Sequence, residues 1–344
     1  MLFMNKMINN SGTGRRITRR EFIKTLAACS TAIAGGFLFN YIAKTKETET
    51  SVFISAINNY DKDITDDLLR GFSELSVTST FIRGKKVLLK PNLVEPSSHA
   101  PHINTHPNVI RAAVEAFRTL GAAYVVVAEG AGHRRDGLMV LEESGLADVL
   151  YKEKIPFFDL NNSDVVKVPN RGSKSKLREL FLPREIVDAD VIVSMAKMKT
   201  HHWVGATLSM KNLFGIMPGC VYGWPKNVLH WAGIHETIYD INATVRPHFA
   251  IIDGIVGMEG DGPIMGEPVN SNVIIMGKDT TAVDATSARV MGINPQKIGY
   301  LKMASGKIGT IGESRIHQVG EPIKYVSKIF KLDQNIPAHK NLRL

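Results

Sequence analysis

Val191-Ile192-Val193-Ser194-Met195 is a short apolar run, and Lys197-Met198-Lys199-Thr200-His201-His202 follows it almost directly. The apolar run is rich in β-branched residues and predicts a buried strand. Similar runs recur along the chain, and segments of helical periodicity lie between several of them. Buried strands that alternate with helices predict an α/β fold, a mostly parallel, doubly wound sheet with helices on both faces. The other predicted strands are 52–57, 86–90, 124–128, 249–252 and 273–276, and the predicted helices are 66–75, 107–120, 139–152, 206–214, 234–243 and 282–290.

The first 43 residues carry a pattern of their own. Thr18-Arg19-Arg20-Glu21-Phe22-Ile23-Lys24 resembles a twin-arginine export signal, and residues 25–43 contain no charged side chain. Such an apolar segment serves either as the core of a cleaved signal or as an uncleaved membrane anchor. The resemblance implies that the twin-arginine export machinery recognises Arg19 and Arg20. We therefore expect a signal or anchor helix and a periplasmic or otherwise extracytoplasmic protein, either free or anchored in the membrane.

These patterns divide the chain into four predicted parts. The signal or anchor occupies residues 1–43, and the polar, unpatterned residues 44–50 form a linker. The α/β domain spans residues 51–315, in one or two lobes, and residues 316–344 form a C-terminal extension.

Charge and cysteine content exclude two classes of function. The formal net charge is +9, but residues 1–43 hold six Lys/Arg and one acid, which leaves only +4 for residues 44–344. So small and scattered an excess argues against a nucleic-acid partner. The two cysteines, Cys29 and Cys220, cannot supply the four thiolates of an iron–sulfur cluster. This chain alone is therefore not expected to hold such a cluster.

Polar clusters follow the predicted strands. They are Lys90-Pro91-Asn92, Glu129-Gly130-Ala131-Gly132-His133, Lys197 to His202, Asp253-Gly254 and Lys278-Asp279. In open α/β sheets, ligands bind beyond the carboxyl ends of the strands, so these clusters predict one common site. The alternative is that they are ordinary polar loops.

The residue types in these clusters favour an anionic ligand. Lysine side chains bind carboxylates and phosphates, and histidine transfers protons near neutral pH or binds metal as neutral imidazole. The alternative is that the lysines lie on the surface and one histidine packs on Trp203. We predict anion binding by Lys90, Asn92, Lys197, Lys199, Lys211 and Asn212, acid–base catalysis by His133 and His201, and metal binding by His201, His202 and Asp253.

Several short motifs together resemble the domain-of-unknown-function 362 family, over roughly residues 50–312. Members of that family often carry ferredoxin-type cysteine modules, and the family resemblance implies an iron–sulfur protein. Because this chain lacks those cysteines, any such cluster would belong to a partner protein. The motifs are 87–92 (VLLKPN), 105–107 (THP), 190–193 (DVIV), 197–201 (KMKTH), 210–215 (MKNLFG) and 253–254 (DG).

A more distant resemblance is to the nickel-pincer lactate racemase family. Gly132-His133-Arg134 follows a predicted strand, and His201, Gly205 and Lys211 keep the spacing of a later motif of that family. The resemblance implies that His133 and His201 are proton-transfer or ligand residues and that Lys211 lies at a cofactor. The cofactor itself is unknown, and a metal or a covalently held group would both fit.

Two functional hypotheses follow. The first is an exported or membrane-tethered enzyme of isomerase or redox type that acts on a small anionic molecule through its histidine and lysine cluster. The second is a non-catalytic protein that binds an anionic ligand or assembles a cofactor in the same cleft. Replacing His133 or His201 with Asn would abolish turnover and spare binding only under the first hypothesis.

Overall fold

A computed structural model describes residues 49–132 and 135–344 of the chain. None of the helices in these two ranges is long and apolar enough to cross a membrane. The following predictions concern residues outside the described ranges: the signal or anchor at 1–43, Arg19, Arg20 and His133.

Strands and helices alternate along the described chain. The strands are β1 (Thr50–Ala56), β2 (Lys86–Lys90), β3 (Tyr124–Glu129), β4 (Phe157–Asp159), β5 (Val165–Pro169), β6 (Glu179–Pro183), β7 (Val191–His201), β8 (Gly205–Thr207), β9 (Phe249–Glu259), β10 (Glu267–Gly277) and β11 (Ile316–Gly320). The helices are α1 (Thr65–Glu74), α2 (Ser79–Ile82), α3 (Pro107–Thr119), α4 (Gly137–Glu143), α5 (Leu146–Lys152), α6 (Arg184–Val187), α7 (Ser209–Asn212), α8 (Gly219–Tyr222), α9 (Asn227–Trp231), α10 (Ile234–Val245), α11 (Thr280–Val290), α12 (Gly299–Ala304) and α13 (Ile323–Val326).

One mixed sheet of nine strands organises the described residues. Its order is β11-β1-β10-β9-β7-β2-β3-β4, and β8 pairs with β7. The pairs β11/β1, β9/β7, β7/β2, β2/β3 and β3/β4 are parallel. The pairs β1/β10, β10/β9 and β7/β8 are antiparallel. The sheet is therefore mostly parallel, as predicted. Strand β11 joins this sheet although it falls in the predicted C-terminal extension.

Hydrophobic cores lie on both faces of the sheet. Leu88 packs in one core with Ile238 of α10 and Val283 of α11. Its neighbour Val87 packs in the other core with Phe117 of α3. Successive side chains of a strand point to opposite faces, so a strand that is apolar at every position holds helices on both sides. The predicted doubly wound α/β arrangement is confirmed.

Strand β7 is longer than its apolar run predicted. It continues to His201, so Lys197 to His201 lie within the strand, and the interpretation that they follow it was wrong. The ladder continues because neighbours remain beside them: Lys197 lies opposite Asp253 of β9, and His201 lies opposite Gly205 of β8. The lysines are thus held on a buried strand and not on a loop.

The helix predicted over residues 206–214 begins later and is shorter than predicted. Gly205, with φ of +84°, turns the chain so that β8 returns along β7. A short helix, α7, then begins at Ser209, and a 3-10 turn follows from Leu213 to Ile216. The buried carboxylate of Asp284 accepts hydrogen bonds from the backbone N–H groups of Ser209 and Met210 and so fixes the start of α7.

The Lys278-Asp279 cluster does not lie with the others. Strand β10 runs antiparallel to β9, and its last residue, Gly277, pairs with Ala250 at the beginning of β9. Its carboxyl end therefore lies at the opposite edge of the sheet. The expectation that all five strand-end clusters form one site was therefore wrong for this cluster.

Candidate functional site

A cavity of about 170 Å³ opens at the carboxyl ends of β2, β3 and β7. These strands are neighbours in the sheet, and their last residues, Lys90, Glu129 and His201, all line the cavity. Its volume is well above the roughly 10–15 Å³ that one water molecule requires. Six of the residues predicted from the sequence line it: Lys90, Asn92, His201, His202, Lys211 and Asn212.

Lys90, Glu129 and Asn212 form a buried network that we call the pocket floor. Lys90 Nζ lies 2.7 Å from Glu129 Oε2 and 2.9 Å from both Asn212 Oδ1 and the carbonyl oxygen of Pro91. Burial lowers the pKa of Lys90, and the charge of Glu129 opposes that effect. Because the three donors of the ammonium group all have acceptors, Lys90 contributes positive charge to the pocket without a free donor.

Lys211 presents an unpartnered amine to the cavity. Its Nζ lies 4.3 Å from the centre of the Phe214 ring, and it makes no hydrogen bond or ion pair with any described residue. Burial lowers the pKa of Lys211 to about 7; the charge of Lys90 lowers it and that of Glu129 raises it. Near neutral pH this amine therefore exists in both the charged and the neutral form.

Lys226 lines the same cavity and was not predicted. Its Nζ donates to the carbonyl oxygens of Gly130 at 2.8 Å and Gly215 at 2.9 Å. Burial lowers its pKa to about 7, with Glu129 opposing. The residue occupies a left-handed conformation, with φ of +69°, before α9. No motif or periodicity surrounds it in the sequence, so only the fold could reveal it.

One ring nitrogen of His201 is hydrogen-bonded to the backbone, and the other is a hydrogen-bond donor. Its Nδ1 accepts from the backbone N–H of Trp203 at 3.0 Å. Burial lowers its pKa well below the usual value, and nearby Lys211 adds to this effect. A neutral imidazole whose Nδ1 accepts must carry its proton on Nε2. The neighbouring His202 places Nδ1 3.2 Å from Asp261 Oδ1 at the edge of the pocket.

Two further polar atoms of the lining have no hydrogen-bond partner among the described residues. They are Asn92 Oδ1 and Thr207 Oγ1, and both are buried. A buried polar atom without a partner is costly unless a ligand or water completes it. Together with Lys211 and His201, they give the cavity hydrogen-bonding capacity that the protein itself does not use.

Lys197 belongs to a second buried cluster that does not line the cavity. Its Nζ lies 2.6 Å from Asp253 Oδ2 and 3.0 Å from Tyr60 Oη, and both partners of the ion pair are fully buried. Asp253 also accepts from the hydroxyl of Tyr60 and from the backbone N–H of His106. This carboxylate is therefore fully engaged within the protein.

Lys199 lies between Lys197 and His201 on β7, and it has no carboxylate partner within the described chain. Its Nζ is fully buried and donates to the carbonyl oxygen of Pro263 at 3.2 Å. Burial and the charges of Lys197, Lys211 and Lys90 hold its pKa well below the usual value. Its amine is thus stabilised in the neutral form unless a negative charge comes near.

The predicted metal set is not assembled in the described structure. Asp253 pairs with Lys197, and Lys197 precedes His201 by four residues on β7. Four residues span about 13 Å along a strand, so Asp253 lies far from His201. Within residues 49–132 and 135–344, no three His, Cys, Asp or Glu side chains are grouped so that they could hold a metal ion.

The sequence around this cavity matches a known protein family. A family model described as a domain of unknown function (DUF362) matches residues 87–289. The chain belongs to this family. The resemblance predicted from the sequence motifs is confirmed, and the DUF362 region contains every residue placed above in the cavity lining.

Similar proteins are known in sequence and in structure. A thylakoid-associated protein of Synechocystis sp. is 26% identical over 220 residues, which cover 62% of this chain and 65% of that protein. The lactate racemase apoprotein of Thermoanaerobacterium thermosaccharolyticum matches 71% of this chain and 58% of its own at 14% identity and a TM-score of 0.42. A Thermotoga maritima protein matches 65% of this chain and 58% of its own at 13% identity and a TM-score of 0.33. The DUF362 chain therefore spans less than two thirds of each of these three proteins.

Proposed function

We propose that the cavity binds a small anionic molecule, a carboxylate or a phosphate. One observation carries the proposal: four lysines, Lys90, Lys199, Lys211 and Lys226, are gathered around Glu129, whose charge acts on all of them. One carboxylate cannot stabilise the charged forms of all four amines, because charges away from water are stable only when paired. An anionic ligand would supply the missing negative charge.

Lys211 makes the principal contact in this proposal. Its amine is the one lysine nitrogen of the described lining with no hydrogen-bond acceptor, and a ligand oxygen would provide one. His201 would donate from Nε2, and Asn92 and Thr207 would complete the polar contacts. Lys90 and Lys226, whose donors are already used, would act through their charge. For Lys197 and Lys199, which do not line the cavity, the predicted anion binding is likewise through charge.

A catalytic role is the second proposal, and the pKa of about 7 for Lys211 supports it. A group that is half-protonated at working pH can both accept and donate a proton. With His201 as a donor beside it, proton transfer to or from the bound anion is feasible, which suits an isomerase or a redox enzyme. His133 remains a proposed partner in this chemistry. A binder without turnover is the competing possibility, and His201→Asn separates the two: in an enzyme it would abolish turnover, whereas in a binder it would only weaken binding.

Calorimetric titration of the full chain with acetate and with inorganic phosphate tests the binding proposal. We expect wild-type protein to bind at least one of them, and Lys211→Met to bind it about 10- to 100-fold more weakly, the loss of one charge-assisted hydrogen bond. Lys302→Met, which removes an exposed lysine of α12, is the matched control and should bind as wild type does. Equal affinity in wild type and Lys211→Met would contradict the proposal, as would no binding of either anion.

We further propose that the protein functions outside the cytoplasm or at a membrane. The twin-arginine pattern and the thylakoid-associated relative support this location. Export machinery and an iron–sulfur protein are its proposed partners, the latter from the family resemblance alone. Cell fractionation tests the location: Arg19→Lys/Arg20→Lys should leave the protein in the cytoplasm, whereas unchanged export would contradict the proposal.

A further inference from the structure

Each of the three tryptophans of the chain either lines the cavity or is the chain neighbour of a residue that does. They are Trp203, Trp224 and Trp231, and their side chains are 54%, 36% and 75% exposed. Trp203 lines the cavity itself, and so do Pro225 and His230, the chain neighbours of the other two. Large aromatic side chains at the surface of a protein commonly mark a binding site when they are grouped.

Trp203 and His230 form an aromatic rim that is continuous with the wall of the cavity. The Trp203 ring lies 4.7 Å from the His230 ring, which in turn lies 5.0 Å from Phe214, the residue over which Lys211 is placed. Apolar side chains of Leu93, Val94, Pro225 and Pro263 form much of the remaining wall. A path of apolar surface therefore leads outward from the Lys211 amine to solvent.

We propose that the ligand is an amphiphile: a carboxylate or phosphate head at Lys211 and an apolar body of several carbon atoms against Phe214 and Trp203. This inference rests on the proposed anion site and adds the class of ligand. A small polar anion would fill the lysine end and leave the apolar wall and the aromatic rim in water. An apolar body removes that surface from water, which is favourable roughly in proportion to the area covered.

A single small molecule fits this surface better than a protein partner. The exposed ring of Trp203 belongs to a concave lining that ends in buried cationic groups, and a protein surface would cover the mouth without reaching them. Charge complementarity with Lys211 and contact with Trp203 are satisfied together only by a molecule that carries both chemistries.

Titration of the full chain with acetate, butyrate, hexanoate and octanoate tests the inference, because the head group stays constant while the body lengthens. We expect the Kd to fall about two- to fourfold for each added methylene up to hexanoate. Tryptophan emission should change with octanoate more than with acetate, because only the longer acid reaches Trp203.

Two variants locate the effect. Trp203→Ala should bring the ratio of octanoate to acetate affinity toward one, and Lys211→Met should weaken both acids by the same factor. Tyr151→Ala removes an exposed aromatic side chain of α5 and should leave the wild-type ratio unchanged. Equal Kd values across the series, with acetate still bound, would overturn the amphiphile and leave anion binding intact. Octanoate binding that is unaffected by Lys211→Met would also overturn it. No binding of any acid or of phosphate would remove the anion site and the inference with it.

Discussion

Glu129→Gln should destabilise the protein severely although it changes a single atom. In the native protein, Glu129 Oε2 accepts from Lys90 Nζ at 2.7 Å and from the backbone N–H of Leu93 at 3.0 Å. Oε1 accepts from the backbone N–H of Gly130 at 2.9 Å. The ion-pair side chains are 1% and 3% exposed, so water cannot replace the lost charge.

The expected loss can be worked out from these contacts. Leaving one partner of a buried ion pair without its counter-charge costs about 3–5 kcal/mol. Lys90 keeps two neutral acceptors, Asn212 Oδ1 and the Pro91 carbonyl, which favours the lower end of that range. The new amide, however, has only one oxygen, so its NH₂ group must face an N–H donor of Gly130 or of Leu93, at about 1 kcal/mol or more. We expect a total of about 4 kcal/mol, a large part of the usual 5–15 kcal/mol of stability.

Urea unfolding followed by circular dichroism measures this loss as a change in the free energy of unfolding. Glu179→Gln is the matched control, since Glu179 pairs with Lys167 at 3.0 Å but both side chains are about half exposed. That change should cost less than about 1 kcal/mol. The double variant Lys90→Met/Glu129→Gln should recover part of the stability, because no unpaired buried cation remains. If Glu129→Gln lost less than about 1 kcal/mol, as the control does, the argument that the buried Lys90 charge depends on Glu129 would be refuted.

Other expectations follow from the same contacts. Acetate affinity should fall as the pH rises from 6 to 8, because the Lys211 amine loses its positive charge through its pKa of about 7, and calorimetry should find a smaller pH dependence in Lys211→Met. Asp253→Asn leaves Lys197 without its fully buried counter-charge, so thermal unfolding should show a loss of about 3–5 kcal/mol. Gly215→Ala places a Cβ atom 2.5 Å from the lysine amine of the pocket floor and should lower stability by about 1–3 kcal/mol in urea unfolding. Gly132→Ala, where a Cβ atom meets nothing within 4 Å, should change stability far less, and equal losses would contradict the packing argument.

Apolar runs predicted six of the nine strands of the sheet, and their polar ends predicted much of the cavity lining. Lys90 lines the cavity because β2 is a short strand whose last residue starts the polar cluster. Lys211 also lines the cavity, although the helix around it differs from the predicted one. Its prediction depended on the chemistry of the side chain and not on the secondary structure. Glu129 belongs to one of the polar clusters but is not predicted as a site residue, because a single glutamate after a strand has no signature until its lysine partner is known.

Other features depend on contacts that are distant in sequence. The antiparallel course of β10, which moves Lys278 to the far edge of the sheet, follows from pairing with β1 and β9 and leaves no mark in its composition. The burial of Lys226 depends on two carbonyl oxygens, those of Gly130 and Gly215, that are 96 and 11 residues away. Periodicity reports on the local chain, so it could not reveal either of these placements.

The alternation within β7 explains why cationic groups are buried here at all. Side chains two residues apart share one face of a strand, and on this face Val191, Val193 and Met195 belong to a hydrophobic core. The same face continues with Lys197, Lys199 and His201, all buried. The strand continues to His201, so the change from apolar to cationic side chains marks where the interior stops being a core. A core position would favour a hydrophobic side chain, because an unpaired buried amine lowers stability. Lys197 is compensated by Asp253, but Lys199 has no carboxylate among the described residues, and this imbalance is removed most simply by an anion bound at the end of the strand.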